Sequence, residues 1–153
     1  MFSIIAPLVS MAMLTADITD HSEVEVCGKV YVTDFDPRKV PSTPKWNEEE
    51  DENPPLSARK AVKLTQKVRD SVVDIPNDFE WETLSVSLIR TPAWASATGT
   101  EGGDSQWAWS VLYRAVPKGA AFSEPNMLTM FVFMDGTVIK PAFRRKADNE
   151  SAK

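Results

Sequence analysis

The chain has one cysteine and one histidine, so nucleophiles, bases and soft metal ligands are scarce. With Cys27 alone no disulfide forms within the chain, and zinc sites built on several thiolates are excluded. With His21 alone, any Ser-His-Asp or Cys-His site must be built on that one residue. If His21 and Cys27 share a strand, their six-residue separation spans roughly 20 Å. A dyad would then need a tight reversal near Gly28, so a surface histidine and a small buried thiol are expected. An overall basic balance is lacking too. The formal net charge is −5, and phosphate contacts need gathered Lys and Arg, so no nucleic-acid partner is expected. No cofactor motif is present. The glycine-rich stretch Gly99 to Gly103 lacks the Gly-Lys-Ser/Thr ending of a phosphate loop and reads as a connector.

Charge is also missing from the first sixteen residues, MFSIIAPLVSMAMLTA. This run is too short for a comfortable membrane span. It fits the apolar region of a secretory signal, with Ser10-Met11-Ala12 or Leu14-Thr15-Ala16 as small-residue cleavage sites. The usual basic start is absent. Export to a periplasmic or extracellular compartment is the expectation, with a cytoplasmic protein as the alternative.

What is present divides the chain into four parts. Residues 1–16 form the signal-type segment. Residues 17–56 hold an N-terminal strand and an acidic, proline-rich loop. Residues 57–143 hold a helix and a sheet, and 144–153 form a charged, frayed tail. The charge is uneven: residues 1–56 carry 11 acids and 4 bases, residues 57–153 carry 11 acids and 13 bases. VEVCGKVYVTDF reads as a strand, or two strand pieces broken at Gly28. Prolines and the acid run Glu48 to Glu52 keep the next segment irregular. Trp46 is placed to pin that loop to the core. The acid run has neither the spacing nor the turn glycine of a calcium loop.

Ser57 is a good helix N-cap, with Leu56 as its hydrophobic staple. Ala58, Ala61, Val62, Leu64, Thr65, Val68 and Val72 fall on one face, and Arg59, Lys60, Lys63 and Lys67 on the other. Three strand patterns follow. WETLSVSLIR sets Leu84, Val86 and Leu88 on one side. QWAWSVLYRAV sets Trp107, Trp109, Val111 and Tyr113 on one face. MLTMFVFM is apolar on both faces, as in a central strand. Asp135-Gly136 then predicts a two-residue type I′ hairpin into Thr137–Ile139. The fold class is therefore α+β: one main helix packed on an antiparallel meander of about four strands. Small residues on the helix make room for Trp107 and Trp109 beneath it.

A helix opening PPLSARKAVKLTQKV, followed by a meander ending MFVFMDGTVI, resembles PepSY modules and, more loosely, cystatin-like folds. Ser57, Ala58, Ala61, Asp135, Gly136, Val138 and Ile139 carry the likeness. Thr65 departs from it where a further alanine is expected. The chain also resembles small exported bacterial proteins with a Trp-x-Trp strand. For PepSY modules the resemblance implies export, a role in binding or restraining peptidases, and no catalytic residues.

The run MFVFMDGT also looks like the Asp-x-Asp-Gly-Thr nucleophile strand of haloacid-dehalogenase phosphatases. Phe133 stands where that motif has its nucleophile, so Asp135 is read as a hairpin corner. The remaining candidate surface is aromatic: Trp81, Trp107, Trp109 and Tyr113. Such a set is either core or a concave surface for a peptide, glycan or apolar ligand. One helix covers one sheet face, so the other needs a cover: the N-terminal strand with the Trp46 loop, a second subunit, or a partner. The expected function is a non-enzymatic binding or inhibitory module with a protein or peptide partner. The alternative is a cystatin-like pocket holding a small molecule between helix and sheet, for which Glu82 is the one acid among the tryptophans.

Overall fold

The computed structural model describes residues 21–36, 39, 42–90, 105–119 and 126–145. The expected signal segment, the glycine-rich connector and the tail from 146 lie outside them. In chain order the elements are β1 (His21–Val26), β2 (Lys29–Asp34), β3 (Lys45–Trp46), α1 (Ala58–Val72), β4 (Phe79–Arg90), β5 (Ser105–Pro117), β6 (Asn126–Phe133) and β7 (Pro141–Arg144). All pairings are antiparallel. β5 is central to one sheet and pairs with β3, β4 and β6. The other sheet has the order β1-β2-β7. One helix on an antiparallel meander is the α+β architecture that the periodicity predicts.

The helix begins where its capping chemistry begins. Ser57 is extended (φ −71°, ψ 149°), and its hydroxyl accepts from the Lys60 N–H. Leu56 is buried in one cluster with Ala61, four residues into the helix, as a staple requires. The fully inward residues are Ala61, Thr65 and Arg69, spaced by four. Arg59, Lys60, Lys63 and Lys67 stay exposed. The helix stops at Val72, with the Val73 N–H donating to the Arg69 carbonyl. Pro76 follows too closely for another turn. Ala61 brings the helix close to Trp107, Val132 and Met134. A second cluster joins the helix end to both sheets through Val26, Tyr31, Val73, Val111, Tyr113, Leu128 and Met130. Burying each of these larger side chains contributes about 1.5–3 kcal/mol.

β4 departs from the alternation expected of it. Leu84 does not join the core clusters that take in Val86 and Leu88. A bulge lies between Thr83 and Ser85, so Thr83 opposes Tyr113 while Ser85 opposes Leu112. The physical reason is spacing. Trp81 packs against the Tyr113 ring and Val86 pairs with Val111. Both belong to the same core, yet they are five residues apart. Period-two alternation cannot put both inside without one extra residue. Leu84 is that residue, and it is left 42% exposed.

The two-residue turn predicted at Asp135-Gly136 forms at Cys27-Gly28 instead, where the strand breaks into two pieces. Asp135-Gly136 is not a two-residue type I′ turn. The Gly136 N–H donates to the Phe133 carbonyl and the Phe133 N–H to the Thr137 carbonyl, both at 2.9 Å. This is a three-residue loop, Met134-Asp135-Gly136, with the glycine alone at positive φ (+89°). Asp135 Oδ1 accepts the Thr137 N–H at 2.8 Å, locking the corner. Cys27-Gly28 instead takes positive φ at both positions (+49° and +76°) between the paired residues Val26 and Lys29. The returning segment after Gly136 is also shorter than a strand. It makes one bridge, Val138 to Val132, before the chain leaves to pair β7 with β2. Arg144 therefore belongs to a sheet, not to a frayed tail.

Candidate functional site

The four aromatic residues lie on the helix-facing side of the sheet. Tyr113 is fully buried, Trp107 is buried, and Trp81 and Trp109 are half-buried. The Trp109 indole N–H donates to the Leu56 carbonyl at 2.7 Å, tying the strand to the helix entry. Trp107 meets Trp46 edge-on at 5.3 Å between centroids, so the β3 loop is pinned as its tryptophan predicts. The Trp107 indole N–H is buried without a partner among the described residues. The Tyr113 and Thr65 hydroxyls lie 2.6 Å apart. Thr65 has one proton, and its oxygen also lies within 3.1 Å of the Ala61 and Val62 carbonyls. The Val62 carbonyl also lies 3.5 Å from the Tyr113 hydroxyl, so either hydroxyl can donate to the other while the backbone carbonyls accept the remaining proton. Burial raises the Tyr113 pKa, while the Thr65 hydroxyl and the Arg69 charge lower it. Thr65 thus departs from the alanine expected by resemblance because it receives a tyrosine.

Arg69, which the charge pattern of the helix does not single out, organises this face. It is only 7% exposed. Its guanidinium lies 4.5 Å from the Tyr113 centroid and 5.0 Å from that of Trp81, and it pairs with Asp70 at 2.7 Å. A buried arginine needs such neighbours, since an unpaired buried charge is costly. Arg69 continues the Ala61–Thr65 stripe by four residues, a spacing that marks the position as inward without saying what would receive the charge. Glu82 does not join this group. It projects from the far face and pairs with Arg114 across the sheet at 2.6 Å.

The polar candidates remain apart. His21 and Cys27 sit at opposite ends of the β1–β2 hairpin, because Cys27 is in the turn and the reversal brings Asp34, not Cys27, opposite His21. His21 Nδ1 and Asp34 Oδ1 lie 2.6 Å apart on the exposed surface. Burial, reinforced by Asp78 and opposed by Lys29, raises the Cys27 pKa and favours the unreactive thiol. Among the described residues no group of three His, Cys, Asp or Glu side chains is placed to hold a metal. Of the acid run, Glu48 pairs with Arg90.

Among the described residues two concave regions and one open flank stand out. A cavity of about 310 Å³ at the helix C-terminus is bordered by Asp70, Asp74, Ile75 and Trp81. A second, of about 470 Å³, lies where the exit of β2 meets the β6 hairpin. The open flank is β4, where Glu82, Thr83, Leu84 and Ser85 are all exposed. On the far face near β6 the sheet is closed by Phe131, Phe133 and Ile139, with Phe35 packed on them. Comparison of the chain with protein-family models, curated proteins and solved structures finds no match in any of the three.

Proposed function

We propose that the chain is a non-enzymatic, exported binding module whose protein partner docks on the β4 flank. The observation that carries this reading is Leu84. A bulge lifts it out of the ladder and leaves a large aliphatic side chain on a strand whose neighbours are exposed. Bulges re-aim side chains and also discourage strand addition at an edge. The partner therefore meets side chains, with Leu84 as the apolar anchor and the Glu82–Arg114 pair beside it. Trp81, Trp107, Trp109 and Tyr113 serve as the rigid backing of this flank rather than as its contact surface. The PepSY-like features, Ser57 with Ala58 and Ala61 and the Asp135-Gly136 corner, add a role in restraining a peptidase. A pocket between helix and sheet is the less favoured reading, because Thr65 and Tyr113 fill that space.

A photo-crosslinking residue at Leu84 tests the surface, with one at Lys63 on the wet helix face as the control. A discrete adduct from position 84, competed by unlabelled protein, is expected. No adduct, or the same adducts from position 63, sinks the assignment. Export is read from the native N-terminus by mass spectrometry. A chain beginning after Ala12 or Ala16 is expected, and intact Met1 in the soluble cell fraction rules it out.

A further inference from the structure

The cavity of about 470 Å³ combines features that no part of the β4 flank has. Phe35, Phe133 and Ile139 line it. Phe133 and Ile139 are buried, and Phe35 packs on Phe133 with ring centroids 6.1 Å apart, which gives an apolar base. Charges of both signs border the same space: Asp34, Asp36 and Asp135, and Lys39 and Lys140. Its size and its mixture of apolar surface with a few polar groups are those of a small-molecule site. Among the described residues neither lysine is in an ion pair with a carboxylate. Asp135 gives one oxygen to the Thr137 N–H and keeps the other for a donor.

The charge pattern restricts what fits. Asp34 is already engaged by His21, and among the described residues a simple anion would still meet the Asp135 carboxylate. A simple cation would meet two ammonium groups. A wholly apolar molecule would bury the charged rim without compensation. A molecule with both charges and an apolar body meets all three demands. We propose that this cavity binds a small apolar zwitterion, a free amino acid or dipeptide. Its ammonium group is held at Asp135, its carboxylate at Lys140, and its side chain lies on Phe35, Phe133 and Ile139. This site is separate from the β4 flank, so Leu84 variants leave it unchanged.

Calorimetric titration with the dipeptide Leu-Phe, its N-acetyl form and its C-terminal amide tests the proposal. Leu-Phe is expected to bind, and blocking either end to weaken binding about tenfold, as loss of a charge-assisted hydrogen bond does. Lys140→Gln should weaken Leu-Phe by a similar factor and no longer distinguish the acid from the amide. Asp135→Asn should do the same for the free and acetylated amine. Asn retains the oxygen that caps the Thr137 N–H, and both sites are exposed, so both variants should keep the parent Tm. Equal binding of all three ligands, or no binding at millimolar concentration, overturns the proposal. So does a uniform loss for all three ligands in both variants, which is the mark of a merely structural role.

Discussion

Strands β4 and β6 both pair with β5 over most of its length, yet their surroundings differ. From Leu128 to Phe133 every β6 residue except Thr129 is buried. In β4 the four residues Glu82 to Ser85 are all exposed. Cover explains the difference. The helix touches β5, β6 and β7, and β1 lies against β6. On the other face Phe35 and Ile139 close over Phe131 and Phe133. On its inner face β4 has the Arg69 guanidinium above Trp81. Composition follows the same division. NMLTMFVF is apolar on both faces, while FEWETLSVSLIR carries Glu and Ser on its outer face. A strand's place in the fold is thus written in how many of its faces are apolar. The bulge in β4 then releases one aliphatic residue to the open side.

The strongest way to break this contrast is to truncate both strands alike. Met130→Ala in β6 should cost about 2–5 kcal/mol, because the side chain is 1% exposed and its cavity cannot fill with water. Leu84→Ala should change stability by no more than about 0.5 kcal/mol, the usual range for a surface site. Urea denaturation midpoints at constant m-value measure both. Similar losses would mean that β4 is covered as β6 is.

A smaller effect tests how the inner face is held. Tyr113→Phe removes the hydroxyl that is hydrogen-bonded to Thr65 but leaves Thr65 bonded to the backbone, so about 1 kcal/mol should be lost. The pH dependence should change too. The Tyr113 pKa is raised in the folded state above its ordinary 10.0. Its contribution is therefore complete below that value and is lost as pH rises through the folded pKa. Cys27, raised above its ordinary 9.0, contributes a separate loss of the same sign that starts lower. In Tm measurements from about pH 8 to 11, Tyr113→Phe should flatten the upper part of the decline and keep the lower part. An unchanged profile would place Tyr113 outside the linkage.

Much of this contrast is legible in the sequence. Ser57 and Leu56 mark the helix start because capping chemistry is local. Trp107 and Trp109 fall beneath the helix because period-two alternation and small helix residues agree. Three features escape for one shared reason: they depend on partners distant in sequence. Leu84 follows the alternation of its own strand, and the bulge appears only once Trp81 and Val86 are set against β5. Arg69 reads as one more basic helix residue until Trp81 and Tyr113 supply its neighbours. Asp-Gly is the stronger type I′ signal, yet Cys27-Gly28 takes that turn. There the register of Val26 with Lys29 leaves two residues to reverse the chain, and the Cys27 N–H is met by the Asn126 side chain at 2.8 Å. The same dependence limits the candidate site. The aromatic set is readable, but which of its members keeps open surface is decided by the helix.

The smallest expected effect sharpens the contrast most. Deleting Leu84 should cost little, within about 0.5 kcal/mol of the parent. The ladder already treats it as an extra residue: Thr83 opposes Tyr113 and Ser85 opposes Leu112. Without it Thr83 points in, Ser85 out and Val86 in, so regular alternation is restored while Trp81 and Val86 keep their places. What should change is the edge. A flat strand of eleven residues without its bulge is a better template for pairing, so self-association should rise with concentration. Sedimentation velocity on the deletion and on Leu84→Ala separates the two effects. The deletion should form dimers or larger species, and Leu84→Ala, which keeps the bulge, should not. A deletion variant that unfolds would show that Leu84 is held by the core after all. One that folds and stays as monomeric as the parent would show that the bulge does not guard this edge.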